Sequence, residues 1–282
     1  MTMDERPQLL HLAYRLLGSF AEAEDAVQEA YTRWYALPEP QRQEIGNPAA
    51  WLTRVASRIC LDQLRSARVR RESYVGPWIP EPLPAPDPAD RVTLDESITM
   101  AFLVVLESMT PAERVAVVLH DVFGYPFGEI AEIVGRTPAA CRQLATSGRR
   151  RIRATKSSPI DRQAAVVKSF RRAWQAGDIG ALIGLLDPDV TVTADGGGRV
   201  STVLRPIRGV AEIARYGAAL LDHMGGQAIV ERTVNGRPGL VAERDGSAVT
   251  VLAFDIADDR IRSVWVVRNP DKLRRWIAHG HG

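Results

Sequence analysis

Between residues 73 and 90 the chain carries six of its 18 prolines, at positions 77, 80, 82, 84, 86 and 88. Proline has no amide hydrogen and pushes the residue before it out of the helical region, so no continuous helix or central strand can run through this stretch. An extended linker is expected over 73–93, with separately closed units on either side. At 282 residues the chain is long enough for two or three domains.

Upstream of the prolines, Leu9, Leu10, Ala13, Leu16, Leu17 and Phe20 recur at steps of three and four residues, the helical period. Ser19 is placed to cap a second helix with Ala23, Ala26, Val27, Ala30, Tyr31 and Trp34 inside and Glu22, Asp25 and Glu29 on another face. Asn47-Pro48 opens a third, whose apolar stripe is Trp51, Leu52, Val55, Ile59 and Leu64. The first unit therefore reads as all-α over 1–72.

A second all-α unit is expected over 94–156. Thr110-Pro111-Ala112-Glu113 is a capping box, and its helix runs to Phe123. A short helix with Phe127, Ile130, Ala131 and Val134 ends at Gly135, and Thr137-Pro138 starts another with Cys141, Leu144, Ala145 and Ile152 inside. Two helices across a glycine-containing turn make a helix-turn-helix.

After Ser157-Ser158-Pro159 the period changes from 3.6 to 2. Helices over 161–176, 178–186 and 209–222 accompany alternating segments at 189–194, 200–205, 227–234, 239–244, 247–255 and 260–268, with turn signals at Gly236 and Asp245-Gly246. Residues 160–282 are therefore expected to form an α+β domain, completing a multidomain chain.

Bulk charge says little, since 36 Lys and Arg face 34 Asp and Glu. Distribution says more. Six arginines and one acid, Asp62, fall between Arg54 and Arg71, and six basic residues without an acid fall between Arg142 and Lys156. On the second helix of the helix-turn-helix, Ala139, Ala140, Arg142, Gln143 and Thr146 point away from the stripe, and Arg149, Arg150, Arg151 and Arg153 follow. That pattern suits a major-groove reader followed by phosphate contacts. Arg54, Arg58, Arg65 and Arg68 with Trp51 suit a single strand, whose bases stack on aromatic faces while arginines track the backbone; Trp51 serves equally well as a core residue.

Cys60 and Cys141 both fall in apolar stripes, which argues against a disulfide framework or a cysteine-rich zinc site. Asp4 and Glu5 stand where a signal peptide needs positive charge, and no apolar run approaches the roughly 20 residues of a membrane span. A cytoplasmic location without a membrane partner is expected.

The stretch Ala23-Glu24-Asp25-Ala26-Val27-Gln28-Glu29-Ala30-Tyr31 resembles region 2.2 of extracytoplasmic-function (group IV) sigma factors, residues 47–71 resemble regions 2.3 and 2.4, and residues 111–153 resemble region 4. Trp78-Ile79-Pro80-Glu81-Pro82, Asp195-Gly196-Gly197-Gly198-Arg199 and Asn269-Pro270-Asp271-Lys272-Leu273 are similar to signatures of the subgroup with a SnoaL-like C-terminal extension. Ile79 and Arg199 depart from it, where Leu and Lys are usual.

The resemblance implies a stress-response transcription factor with no metal, cofactor or catalytic residue. It implies that Glu22, Asp25, Gln28 and Glu29 meet core RNA polymerase, and that Trp51, Arg54, Arg58, Arg65 and Arg68 open and read the −10 element. Thr137, Ala139, Ala140, Arg142, Gln143, Thr146, Arg149, Arg150 and Arg153 would read the −35 element. It further implies that the extension regulates in cis, through intramolecular contacts among Trp78, Pro80, Glu81, Asp195 to Arg199 and Asn269 to Leu273.

Two alternatives stay open. One is a helix-turn-helix regulator whose C-terminal pocket takes an unidentified small ligand. The other is a sigma factor fused to a SnoaL-type enzyme using Asp189, Asp195, Asp255 or His223. The first has no need of a polymerase-docking helix, and no paired spacing marks a catalytic dyad for the second.

Overall fold

The computed structural model describes residues 5–85, 98–152, 158–223 and 227–277, with the side chains of 67–72, 217–223 and 277 left aside. The chain divides into two compact units. The first gathers helices from both sides of the proline-rich stretch; the second holds residues 74–85 together with the C-terminal part.

In the first unit, α1 (Arg6–Leu17) ends where Gly18 takes a left-handed φ of 71° and its amide donates to Tyr14. Ser19 then caps α2 (Phe20–Ala36) by accepting from the Glu22 amide. After the short α3 (Glu39–Glu44), Asn47 caps α4 (Pro48–Glu72), its Oδ1 accepting from the Ala50 amide at 3.0 Å. Leu12, Leu16, Ala23, Val27, Leu52 and Ala56 are buried between α1, α2 and α4. Each large aliphatic side chain so covered contributes about 1.5–3 kcal/mol. Tyr31 and Val55, expected inside, are only partly covered.

The same unit continues with α5 (Met100–Glu107), from Phe102 onward, and α6 (Pro111–Val117), whose capping box forms as expected. One π-helical turn, Val118–Val122, carries the chain on to Phe123. Then α7 (Phe127–Val134) and α8 (Pro138–Ile152) make the helix-turn-helix across Gly135, which has φ 71°. Gly148 lets α8 lie close on α6, because a Cβ there would stand 2.5 Å from Val117 Cγ2. Cys60 and Cys141 are free thiols in these cores.

Polar side chains tie the helices before and after the proline stretch. Arg114, only 3% exposed, donates to the Leu16 carbonyl at 2.8 Å and pairs with Glu107 at 2.6 Å. The Arg15 guanidinium lies 5.5 Å from the Phe123 ring centre.

In the second unit, α9 (Ile160–Gln175) and α10 (Ile179–Gly184) precede β1 (Leu186–Asp195), β2 (Ile207–Arg208), α11 (Val210–His223), β3 (Ala228–Val234), β4 (Arg237–Arg244), β5 (Ser247–Ala257), β6 (Arg260–Val267) and α12 (Arg274–Ile277). The sheet order is β2-β1-β6-β5-β4-β3, antiparallel except for the parallel β1–β6 pair. Val166, Val167 and Phe170 of α9 pack on Leu240, Leu252, Phe254 and Val264, which forms the core of the α+β domain. The alternation at 200–205 does not become a strand: Leu204 is 65% exposed, and an apolar alternation without a sheet face to cover it earns no pairing. The short β2 takes the edge instead, meeting β1 at Thr191 and Val192.

Of the stretch expected as a linker, residues 74–85 are described, and they form an extended strap docked within the second unit. Ile79 and Leu83 are buried, Pro84 bridges to Val234 of β3, and the Asn235 amide donates to the Leu83 carbonyl at 2.9 Å. Proline leaves few amides to satisfy, so an extended chain of this composition can be covered at little hydrogen-bonding cost.

Candidate nucleic-acid interface and strap site

On α8, Ala139, Arg142, Gln143, Thr146 and Arg150 are exposed and line one shallow groove of about 490 Å³. A second groove of about 700 Å³ sets Ala140 and Gln143 beside Arg136 and beside Arg65 of α4. Two of the expected contacts also have local work. Thr137 Oγ1 accepts from the Ala140 amide at 3.2 Å and so caps α8. Arg149 is held by both carboxylate oxygens of Asp121, which raise its pKa. Arg153 lies outside the described residues.

On α4, Arg54, Arg58 and Arg65 are exposed. None is idle: Arg54 pairs with Glu132 of α7 at 2.9 Å, Arg58 donates to the Glu132 carbonyl at 2.8 Å, and Arg65 pairs with Asp62 at 3.2 Å. Trp51 is half-buried, edge-on to Trp34 with ring centres 5.2 Å apart, so one part of the indole is core and another is open. The Arg68 side chain is among those left aside. On α2, Asp25, Gln28 and Glu29 are exposed, Glu22 is half-buried, and Glu29 pairs with Arg33.

The second unit gathers the three signature segments around one carboxylate. Asp195, at the end of β1, is fully buried; it accepts from Tyr74 Oη at 2.5 Å, the Ile79 amide at 3.0 Å, the Gly197 amide at 3.0 Å and Lys272 Nζ at 2.7 Å. Lys272 also donates to the Ile79 carbonyl and lies 4.0 Å from the Trp78 ring centre. Burial, then the Asp195 carboxylate, pushes the Tyr74 hydroxyl up, so it remains a donor. Asn269 donates to Tyr74 Oη at 2.9 Å and caps the following turn by accepting from the Asp271 amide.

Glycine is required beside it: Gly197 has φ 62°, and a Cβ would sit 2.4 Å from Asn269 Nδ2. Gly196 is buried, Gly198 faces Val75, and Arg199 reaches Asp271 at 3.1 Å. Pro80, Glu81 and Leu273 are buried, whereas Pro270 is exposed. Three participants were not singled out from the sequence. Tyr74 precedes the recognised segment, Trp276 Nε1 donates to the Pro82 carbonyl at 2.8 Å, and Asn235 Oδ1 accepts from the Leu83 amide at 3.2 Å. Gly236 was legible as a hairpin turn signal, but the role of the neighbouring Asn235 side chain needed the strap in place.

An acidic-faced first bundle, an arginine-lined α4 and a helix-turn-helix with an exposed, polar second helix define a promoter-reading initiation factor of the sigma-70 type. Sigma-70 region 2 matches residues 1–70, and Sigma-70 region 4 matches residues 99–152. The ECF RNA polymerase sigma factor SigJ of Mycobacterium tuberculosis is 39% identical over 95% of this chain and 90% of its own length. A probable ECF sigma factor of the same species, SigI, is 36% identical over 98% of this chain and 95% of its own. The crystal structure of M. tuberculosis SigJ superposes with a TM-score of 0.78 at 38% identity, covering 95% of each chain. The chain belongs to the extracytoplasmic-function sigma factors. It is an alternative sigma factor that serves transcription initiation by binding RNA polymerase and promoter DNA. Among the described residues no helix is long and apolar enough to cross a membrane.

Proposed function

We propose that this sigma factor is regulated in cis by residues 160–282, which hold the strap between its two sigma regions. The burial of Asp195 under Tyr74, Ile79 and Lys272 carries this reading. Anchoring residues 74–85 removes that length from the segment joining region 2 to region 4, and promoter binding needs the two readers at a set separation. The number of strap contacts biases the spacing by a population shift; moving an equilibrium from 1:99 to 99:1 takes about 5.5 kcal/mol of differential contact.

Within this reading, Asp25, Gln28 and Glu29 meet core polymerase, with Glu22 at their edge. Arg54, Arg58, Arg65, Arg68 and Trp51 engage the −10 strand, and Ala139, Ala140, Arg142, Gln143, Thr146 and Arg150 face the −35 major groove. Thr137 and Arg149 act behind them, as cap and brace. In this reading the chain does no chemistry of its own, which the packing of Phe170, Leu240, Leu252 and Phe254 and the engagement of Asp195 by the strap support. The test reconstitutes core polymerase with full-length protein, Asp195→Ala and a chain ending at Lys156, on a promoter library with sequenced transcripts. Different outputs for the three are expected; identical initiation from all three, at matched folding, overturns regulation by the extension.

A further inference from the structure

Phe127 opens α7, partly buried at the start of the helix-turn-helix. Its ring stacks on His120, with centres 4.0 Å apart and planes at 27°, and the Arg142 guanidinium lies 5.4 Å from its centre. His120 is itself fixed. It sits in the π-helical turn, and its Nδ1 lies 2.9 Å from the Tyr125 carbonyl, which can only accept, so Nδ1 carries the hydrogen.

The neighbouring arginines are held differently. Arg149 is clamped by Asp121, and Arg151 lies against Glu113. Arg142 pairs with no carboxylate among the described residues; its restraint is an aromatic face. The difference matters chemically. A carboxylate neutralises the guanidinium and occupies its in-plane donors, whereas a ring attracts the cation through its quadrupole and leaves the fork of N–H groups free. A free fork in a defined orientation is what bidentate recognition of guanine O6 and N7 requires.

We infer that Phe127, backed by His120, is a positioning residue that holds Arg142 for reading one guanine of the −35 element. The inference rests on α8 being the −35 reader, so its test separates the two. Holoenzyme reconstituted with wild-type protein, Arg142→Ala, Phe127→Met or Phe127→Tyr is selected on promoters randomised across the −35 element. Methionine keeps apolar bulk without a ring; tyrosine keeps the ring. Arg142→Ala is expected to lose about tenfold discrimination for guanine at one position. Phe127→Met should lose severalfold at that same position and leave the others unchanged, and Phe127→Tyr should keep the wild-type preference. Phe127→Met matching the wild type, or lowering selection equally at every sequence, overturns the positioning role. Arg142→Ala with an unchanged preference instead sinks base reading by α8, and the inference with it.

Discussion

The Lys272 ammonium and the Asp195 carboxylate form an ion pair of 2.7 Å in which the aspartate side chain is wholly excluded from solvent and the lysine side chain is 9% exposed. The pair joins the last signature segment to the end of β1, and both partners also hold Ile79 of the strap. Replacing Lys272 with Met leaves a buried carboxylate without its counterion, which costs about 3–5 kcal/mol. Thermal unfolding of full-length protein is expected to show that loss, and limited proteolysis should open a new cleavage within residues 74–85. A Lys272→Met protein with wild-type melting and wild-type cleavage would mean that the pair holds nothing.

Tyr74 links the strap to the same carboxylate. Tyr74→Phe removes a hydrogen bond to Asp195 and one from Asn269, and is expected to lower stability by about 1–3 kcal/mol. Because the hydroxyl pKa is raised in the folded protein, its contribution is complete below the unfolded value of 10.0 and falls as pH rises through the folded value. Denaturant titrations should therefore show wild type losing its advantage over Tyr74→Phe only on the alkaline side of pH 10.

Glu132 occupies two arginines assigned to the −10 strand, through its side chain to Arg54 and its backbone to Arg58. The ion pair is about half exposed, and such pairs contribute little, so this is a weak brake and not a lock. Glu132→Ala should tighten binding of holoenzyme to a single-stranded −10 oligonucleotide by about two- to fivefold. Fluorescence anisotropy measures it, and weaker binding would show that Glu132 orients the arginines for DNA.

Arg149 and Arg150 are adjacent in sequence and differ in surroundings. Arg149→Ala breaks the bidentate clamp on Asp121 and should lower the melting temperature of the first unit. Arg150→Ala, exposed on the groove, should leave melting unchanged while reducing the salt slope of promoter binding by about one. The opposite assignment of the two phenotypes would exchange their roles.

Much of this architecture was legible in the sequence because it is written in local rules. The capping box at Thr110 and Glu113, the Ser19 and Asn47 caps and the 3.6-residue stripes all form where short-range hydrogen bonding and periodicity place them. Hairpins at Asn235-Gly236 and Asp245-Gly246 follow from residues that tolerate positive φ. The failure at 200–205 is instructive: alternation marks which side chains share a face, but not whether a neighbouring strand exists to receive it.

The helices, the change to an α+β domain and the basic composition of α4 and α8 were determined by the sequence itself, since period, caps and charge act over a few residues. Only the tertiary structure decided that Arg149 braces Asp121 while Arg142 rests on Phe127, that Glu132 meets Arg54 and Arg58, and that a proline-rich stretch is a strap on Asp195. These pairings join residues from 15 to 121 positions apart. No local propensity encodes them, because which distant partner a charge meets depends on how the cores bring their elements together.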